Sequence, residues 1–151
     1  MAQVCYRRTI KMFIARLLIC ASSAVVLVLG IAHLLIMYRG TKLKPRDQLL
    51  YEKMQLVPPI VSSQTTMWKA WVGFNESHSI GLILFAAIYG FLAVGHSELL
   101  FGSVYLSIVG GLVLIRYVML ARKYWFNIPL AGASASLLLY LAAQVVAIAA
   151  R

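Results

Sequence analysis

Four apolar runs divide this chain of 151 residues, and each is long enough to cross a lipid bilayer as a helix. They cover about residues 14–38, 71–94, 99–120 and 128–150. At ~1.5 Å of rise per residue, about twenty helical residues cross a hydrocarbon core ~30 Å thick. Lipid offers no hydrogen-bonding partner, so a crossing backbone must satisfy itself, and a helix does so within one segment. Barrel strands would alternate polar and apolar side chains over ~10 residues, and no run here alternates that way. The predicted fold is therefore all-α: a single membrane domain, 1–151, forming a four-helix transmembrane bundle. Composition agrees. Residues are 62% hydrophobic and 12% charged, against ~45–50% and ~25% in soluble domains. One core of this size cannot bury so much apolar surface.

The formal charge of +10 could suggest a nucleic-acid partner, but the positions of the basic residues argue for lipid. Thirteen of the fourteen Lys and Arg flank the apolar runs or lie between them; Arg116 is the exception. Such residues contact anionic headgroups and set topology. Only Asp47, Glu52, Glu76 and Glu98 are acidic. Arg7, Arg8, Lys11 and Arg16 resemble the basic start of a signal peptide. The apolar run that follows is too long for one, and bulky Ile19 precedes Cys20 where a lipoprotein signal needs a small residue. An uncleaved span is expected, with no soluble domain at either end. Cys5 and Cys20 read as unpaired thiols.

The first and third loops together hold eight Lys and Arg: Arg39, Lys42, Lys44, Arg46, Lys53, Lys69, Arg122 and Lys123. The other side holds five: Arg7, Arg8, Lys11, Arg16 and Arg151. The positive-inside rule then predicts cytoplasmic first and third loops. The first loop, 39–70, is the one long connection. Within it Arg46 to Val57 predicts a short interfacial helix with Leu50, Met54 and Val57 on one side, ended by Pro58-Pro59, and Thr65 to Trp71 then begins the second transmembrane helix. Trp68, Trp71, Tyr124 and Trp125 fit an interfacial aromatic belt. Pro129 stands at the start of the fourth span, where its missing N–H costs nothing.

Small residues recur at four-residue spacing: Ser103, Ser107 and Gly111; Ala131 and Ala135; Ala143 and Ala147; Ala86 and Gly90. Such spacing permits close helix approach in lipid. Packing within the bundle and homodimerisation both fit it.

Polar side chains inside a span are costly and so point to function. His33, ~8 Å from the end of the first span by helical rise, Asn75 and His78 near the start of the second, and Arg116 and Tyr117 near the end of the third are predicted to share one leaflet on the long-loop side. Trp68, Trp71, Asn75 and His78 fall at i, i+3, i+7 and i+10, one stripe of a helix. Imidazole, amide, guanidinium and phenol together could bind an anionic or carbonyl-bearing ligand such as a lipid headgroup or quinone. Purely structural roles carry more of the weight: Arg116 snorkelling to phosphates, the histidines bonding neighbouring helices, Asn75 or Ser77 capping the second helix. No acid shares this depth, so a metal site is not predicted. His96 and Glu98 read as an exposed turn. No nucleophile elbow, phosphate loop or His-Glu-x-x-His occurs, and no motif implies a cofactor.

Thr65-Thr66-Met67-Trp68-Lys69-Ala70-Trp71-Val72-Gly73-Phe74-Asn75-Glu76-Ser77-His78-Ser79-Ile80-Gly81 resembles the central motif of a family of small bacterial four-helix integral membrane proteins with no assigned activity. Lys42-Leu43-Lys44-Pro45-Arg46-Asp47 and Ala121-Arg122-Lys123-Tyr124-Trp125-Phe126 also look like that family. The resemblance implies the same architecture and a bacterial inner-membrane location. The expected function is non-enzymatic, with membrane lipids as partners and a lipid-like or anionic ligand on the long-loop side. An accessory subunit of a membrane complex, a membrane-embedded enzyme on lipid or quinone, and a small transporter are the alternatives.

Overall fold

The computed structural model describes residues 2–151. It is all-helical: α1 (Ala2–Arg39), α2 (Gln48–Leu56), α3 (Met67–Gly95), α4 (Ser97–Gly102), α5 (Val104–Tyr124) and α6 (Asn127–Ile148), with no strand among the described residues. Four helices, α1, α3, α5 and α6, are long and apolar enough to cross a membrane. This is the architecture of a multi-pass membrane protein. The 21 and 22 residues of α5 and α6 match one hydrocarbon thickness, about 32 Å. The 38 residues of α1 and 29 of α3 exceed it.

Two boundaries depart from the sequence reading. Helix α1 begins at Ala2 rather than near Ile14, because the stretch between them contains no Pro or Gly to interrupt a helix. The helix of the second span, α3, begins within Thr65–Trp71 as expected, at Met67, capped by Thr66, whose Oγ1 accepts from Lys69 N at 3.3 Å. Asn75 and Ser77 therefore lie inside it and cap nothing. The third apolar run is broken: α4 ends at Gly102, and Ser103 turns extended (φ −91°, ψ 110°) to cap α5, accepting from Leu106 N at 3.3 Å. Ser103 is thus a cap and not the first member of a packing stripe. The interfacial helix is present as α2. Asp47 caps it through Leu49 N and Leu50 N at 2.8 and 3.2 Å. Val57, extended because Pro58 follows it, ends it.

Packing divides the chain into two compact units. One is drawn from the chain up to Leu29 and from Ile83–Arg151, the other from Gly30–Leu82. The first, called the four-helix unit for its four spanning helices (parts of α1 and α3 with α5 and α6), also holds the short α4. Its buried faces follow helical spacing: Ala15, Ile19, Ser22 and Val26 on α1; Phe85, Ala86, Tyr89 and Ala93 on α3; Gly110, Gly111, Leu114 and Ala121 on α5; Ala133, Ser136, Tyr140, Ala143 and Ala147 on α6. Small residues draw the backbones together as expected at Ala86, Ala143 and Ala147. A Cβ built on Gly90 would lie 3.7 Å from Ser23 Cβ, an ordinary packing contact. Ala131 and Ala135 instead face outward, since the buried stripe of α6 runs through Ala133 and Ser136.

Most polar side chains in this unit end on backbone carbonyls. Ser22 Oγ donates to Ser136 O at 2.8 Å and Ser136 Oγ to Ser22 O at 3.1 Å, both fully buried, joining α1 to α6. Tyr89 OH donates to Leu106 O at 2.8 Å, and Tyr140 OH reaches Ser107 O at 3.0 Å. Gly110 makes this approach possible: a Cβ there would meet Tyr140 Cζ and Tyr89 Cε1 at 2.7 Å. Ser107 Oγ donates to Gln144 Oε1 at 3.1 Å. Basic side chains hold helix C-termini. Arg16 donates to Ala93 O (2.9 Å) and Val94 O (2.6 Å) at the end of α3, and Lys11 to Ala149 O (2.9 Å) beyond α6. Arg151 donates to Phe101 O of α4. Cations suit these ends because unpaired carbonyls concentrate negative partial charge there.

The second unit comprises the last turns of α1, the long connection with α2, and the first turns of α3. The connection closes through Met67 N to Val57 O at 2.9 Å. Trp71 Nε1 donates to Leu43 O at 3.3 Å, and Trp68 meets Tyr51 edge-on at 4.9 Å. Lys44 Nζ lies 5.0 Å above the Tyr51 ring. The half-buried residues of α2 are Tyr51 and Met54, while Leu49, Leu50, Leu56 and Val57 are exposed. The predicted grouping of Leu50 with Met54 is therefore replaced by Tyr51 with Met54, because the aromatic Tyr51 has Trp68 to pack against.

Candidate functional site

The second unit brings three of the predicted site residues together. Asn75 sits one turn beyond Trp71 on α3, and its Nδ2 donates to Trp71 O at 2.7 Å. That carbonyl can only accept, so the amide orientation is set: Oδ1 points the other way, 3.0 Å from His33 Nε2 on α1. Asn75 Oδ1 can only accept, so His33 donates from Nε2. In the neutral imidazole Nδ1 is then the acceptor nitrogen. The His78 ring lies edge-on to His33, centroids 5.8 Å apart at 80°. All three side chains are half-buried. They lie at neighbouring turns because Asn75 and His78 are three residues apart on one face of α3.

Neighbouring polar side chains of α3 turn back on their own helix. Ser79 Oγ donates to Asn75 O at 3.1 Å and Ser77 Oγ to Phe74 O at 3.0 Å. Such back-bonding satisfies hydroxyls where no water competes. His33, Asn75 and His78 differ in that an imidazole and an amide meet across two helices beside a second imidazole. The arrangement offers hydrogen-bond donors, acceptors and titratable nitrogens in one place.

Arg116 and Tyr117 lie on α5, in the four-helix unit; Arg116 is exposed and Tyr117 half-buried. Of the aromatic belt, Trp68 and Trp71 hold the long connection as described. Trp125 ends α5 with its ring 6.4 Å from that of Tyr117, and Tyr124 lies under Lys123 Nζ at 5.0 Å. His96 alone links α3 to α4, its ring 5.0 Å from Phe91. No group of three or more His, Cys, Asp or Glu positioned to hold a metal occurs among the described residues.

Sequence reasoning overlooked the buried hydroxyls. Ser22, Ser136, Tyr89 and Tyr140 each sit within a span, where a hydroxyl needs an acceptor, and the adjacent Gly110-Gly111 marks where carbonyls are open to one. Lys11 and Arg16, expected only as flanking charges, both hold helix carbonyls. Compared with protein-family models, curated proteins and solved structures, the chain gives no match.

Proposed function

We propose that this protein is a non-enzymatic bacterial inner-membrane protein of the family its central motif resembles, and that it binds a lipid-like or anionic ligand through His33, Asn75 and His78. The observation that carries this reading is the His33–Asn75 hydrogen bond of 3.0 Å between α1 and α3, with the His78 ring beside it. Joining two helices in lipid takes one polar pair or none. The His78 ring beside that pair puts two imidazoles and an amide at one place in the unit, a concentration of polar chemistry that is costly within a span. A ligand hydroxyl could donate to His33 Nδ1, and the imidazolium form of that ring would offer Nδ1–H to a phosphate, carboxylate or quinone carbonyl. The test is mass spectrometry of lipids and quinones that copurify with the full chain. Asn75→Ala and His78→Ala should each deplete one copurifying species severalfold. An unchanged profile in both variants rejects the reading.

The long connection is placed in the cytoplasm, on the eight Lys and Arg of the first and third loops. Two of the five opposing cations, Lys11 and Arg16, have a local role on helix carbonyls that does not depend on sidedness. Cys5 is exposed near the N-terminus. A membrane-impermeant maleimide should label it in intact spheroplasts, and Cys5→Ser should abolish that labelling. Labelling only after lysis would invert the topology.

A second reading, a partner subunit or a second copy in the membrane, draws on the outward-facing Ala131 and Ala135 of α6. Replacing both with Leu should block crosslinking of such an assembly while leaving the monomer folded.

A further inference from the structure

We infer that the start of the long connection carries a separate site for the phosphate ester of an anionic phospholipid. Residues 41–51 enclose an open cavity of about 570 Å³ lined by Thr41, Lys42, Lys44, Arg46, Gln48 and Tyr51, a volume within the ~300–1,000 Å³ of small-molecule sites. Three of these residues are cationic and none is acidic. Asp47, the nearest acid in sequence, engages the N–H groups of Leu49 and Leu50 as the α2 cap. Gln48 already donates to Glu52 at 3.1 Å. The Thr41 hydroxyl and the three cations are left as donors toward an anion. Lys44 is not a loose surface charge. Its Nζ stands 5.0 Å over the Tyr51 ring, which is itself held by Trp68. Arg46 adds a planar fork suited to two phosphate oxygens.

The surrounding surface selects a lipid over free phosphate. Leu56, Ile60 and Val61 are 79%, 108% and 90% exposed, and Leu49 and Leu50 are exposed on α2. Leu49 and Leu50 stand between the lining residues Gln48 and Tyr51 in sequence, and a short helix with exposed apolar side chains and a cationic cavity at its first turn suits the boundary between headgroups and acyl chains. The cavity takes the phosphate, and the exposed aliphatic side chains lie against the acyl chains.

The test is titration of the full chain, in a non-ionic detergent, with dihexanoyl phosphatidylglycerol, followed by native mass spectrometry. Dihexanoyl phosphatidylcholine and inorganic phosphate serve as competitors. The anionic lipid should bind at least tenfold more tightly than the zwitterionic one, and inorganic phosphate should displace it only at far higher concentration. Each of Lys42→Gln, Lys44→Gln and Arg46→Gln should weaken binding roughly fivefold, with the triple variant losing more. Lys53→Gln, which removes equal charge outside the cavity, should leave binding unchanged, as should His33→Ala. Equal retention of the two lipids, or undiminished binding in both the triple variant and Arg46→Gln, overturns the site. Equal potency of inorganic phosphate overturns its assignment to a lipid. Loss in His33→Ala as large as in the triple variant overturns its separateness from the His33 group. The lipid comparison on the unmodified chain decides even if the triple variant does not fold.

Discussion

In the four-helix unit most polar side chains end on backbone carbonyls, whereas in the unit from Gly30 to Leu82 carbonyl-bound side chains such as Trp71, Ser77 and Ser79 stand beside a side-chain pair, His33–Asn75, and a cation-lined opening. The Ser22–Ser136 pair, the hydroxyls of Tyr89 and Tyr140, and the cations Lys11, Arg16 and Arg151 all reach main-chain acceptors. Their work is holding helices together and closing helix ends. His33 meets Asn75, Lys44 meets Tyr51, and Lys42 and Arg46 line open space. A polar group that ends on a carbonyl is accounted for by structure. Groups gathered around an opening, with donors to spare, are where a ligand is to be sought.

Substitutions can break this contrast or sharpen it. The largest effect is expected at Gly110. Its missing Cβ makes room for Tyr140 and Tyr89, so Gly110→Ala should lower stability by about 2–3 kcal/mol, read as a fall in the thermal unfolding midpoint in detergent. The counterpart in the second unit is Gly73, where a Cβ meets nothing within 4 Å. Gly73→Ala should be neutral or stabilise α3 by up to ~1 kcal/mol. Equal losses at both glycines would erase the difference in packing between the units.

Next comes Arg16→Met, which keeps much of the aliphatic stem but strips the cap from Ala93 O and Val94 O. A loss of about 1–2 kcal/mol is expected, with faster amide exchange confined to the last turn of α3. Lys53→Met in α2 should change the midpoint by no more than about 0.5 kcal/mol. Ser22→Ala and Ser136→Ala should each cost about 1 kcal/mol. The double variant should cost clearly less than the sum, because each hydroxyl serves the other's carbonyl; strict additivity in the thermal cycle would deny the pairing. His33→Ala should cost under about 1 kcal/mol, accompanied by severalfold loss of copurifying ligand. A stability loss without ligand loss would move His33 into the structural class.

The four spans were legible because apolar length is a property of the sequence alone. The α2 helix and the aromatic anchoring by Trp68 and Trp71 were also within reach, from Pro58-Pro59 and from side chains that prefer an interface. The break at Ser103 was not: nothing in an apolar run without proline distinguishes a serine that caps from one that packs. The grouping of His33, Asn75 and His78 was legible because they share a depth, and depth follows from counting residues at ~1.5 Å each. Rotation about the helix axis does not follow from counting, and it separated outward Ala131 and Ala135 from buried Ala133 and Ser136.

By itself, the chain's order of apolar and polar residues determined that it is helical, that it has four segments able to cross lipid, and that its charges gather at their ends, since transfer into hydrocarbon depends on each segment's own composition. Tertiary structure alone decided which carbonyl each hydroxyl reaches, which cations hold helix ends, and that Lys42, Lys44 and Arg46 line a single opening. Those outcomes depend on helix rotation and on how the long connection closes, and both are set by contacts between residues far apart in the chain.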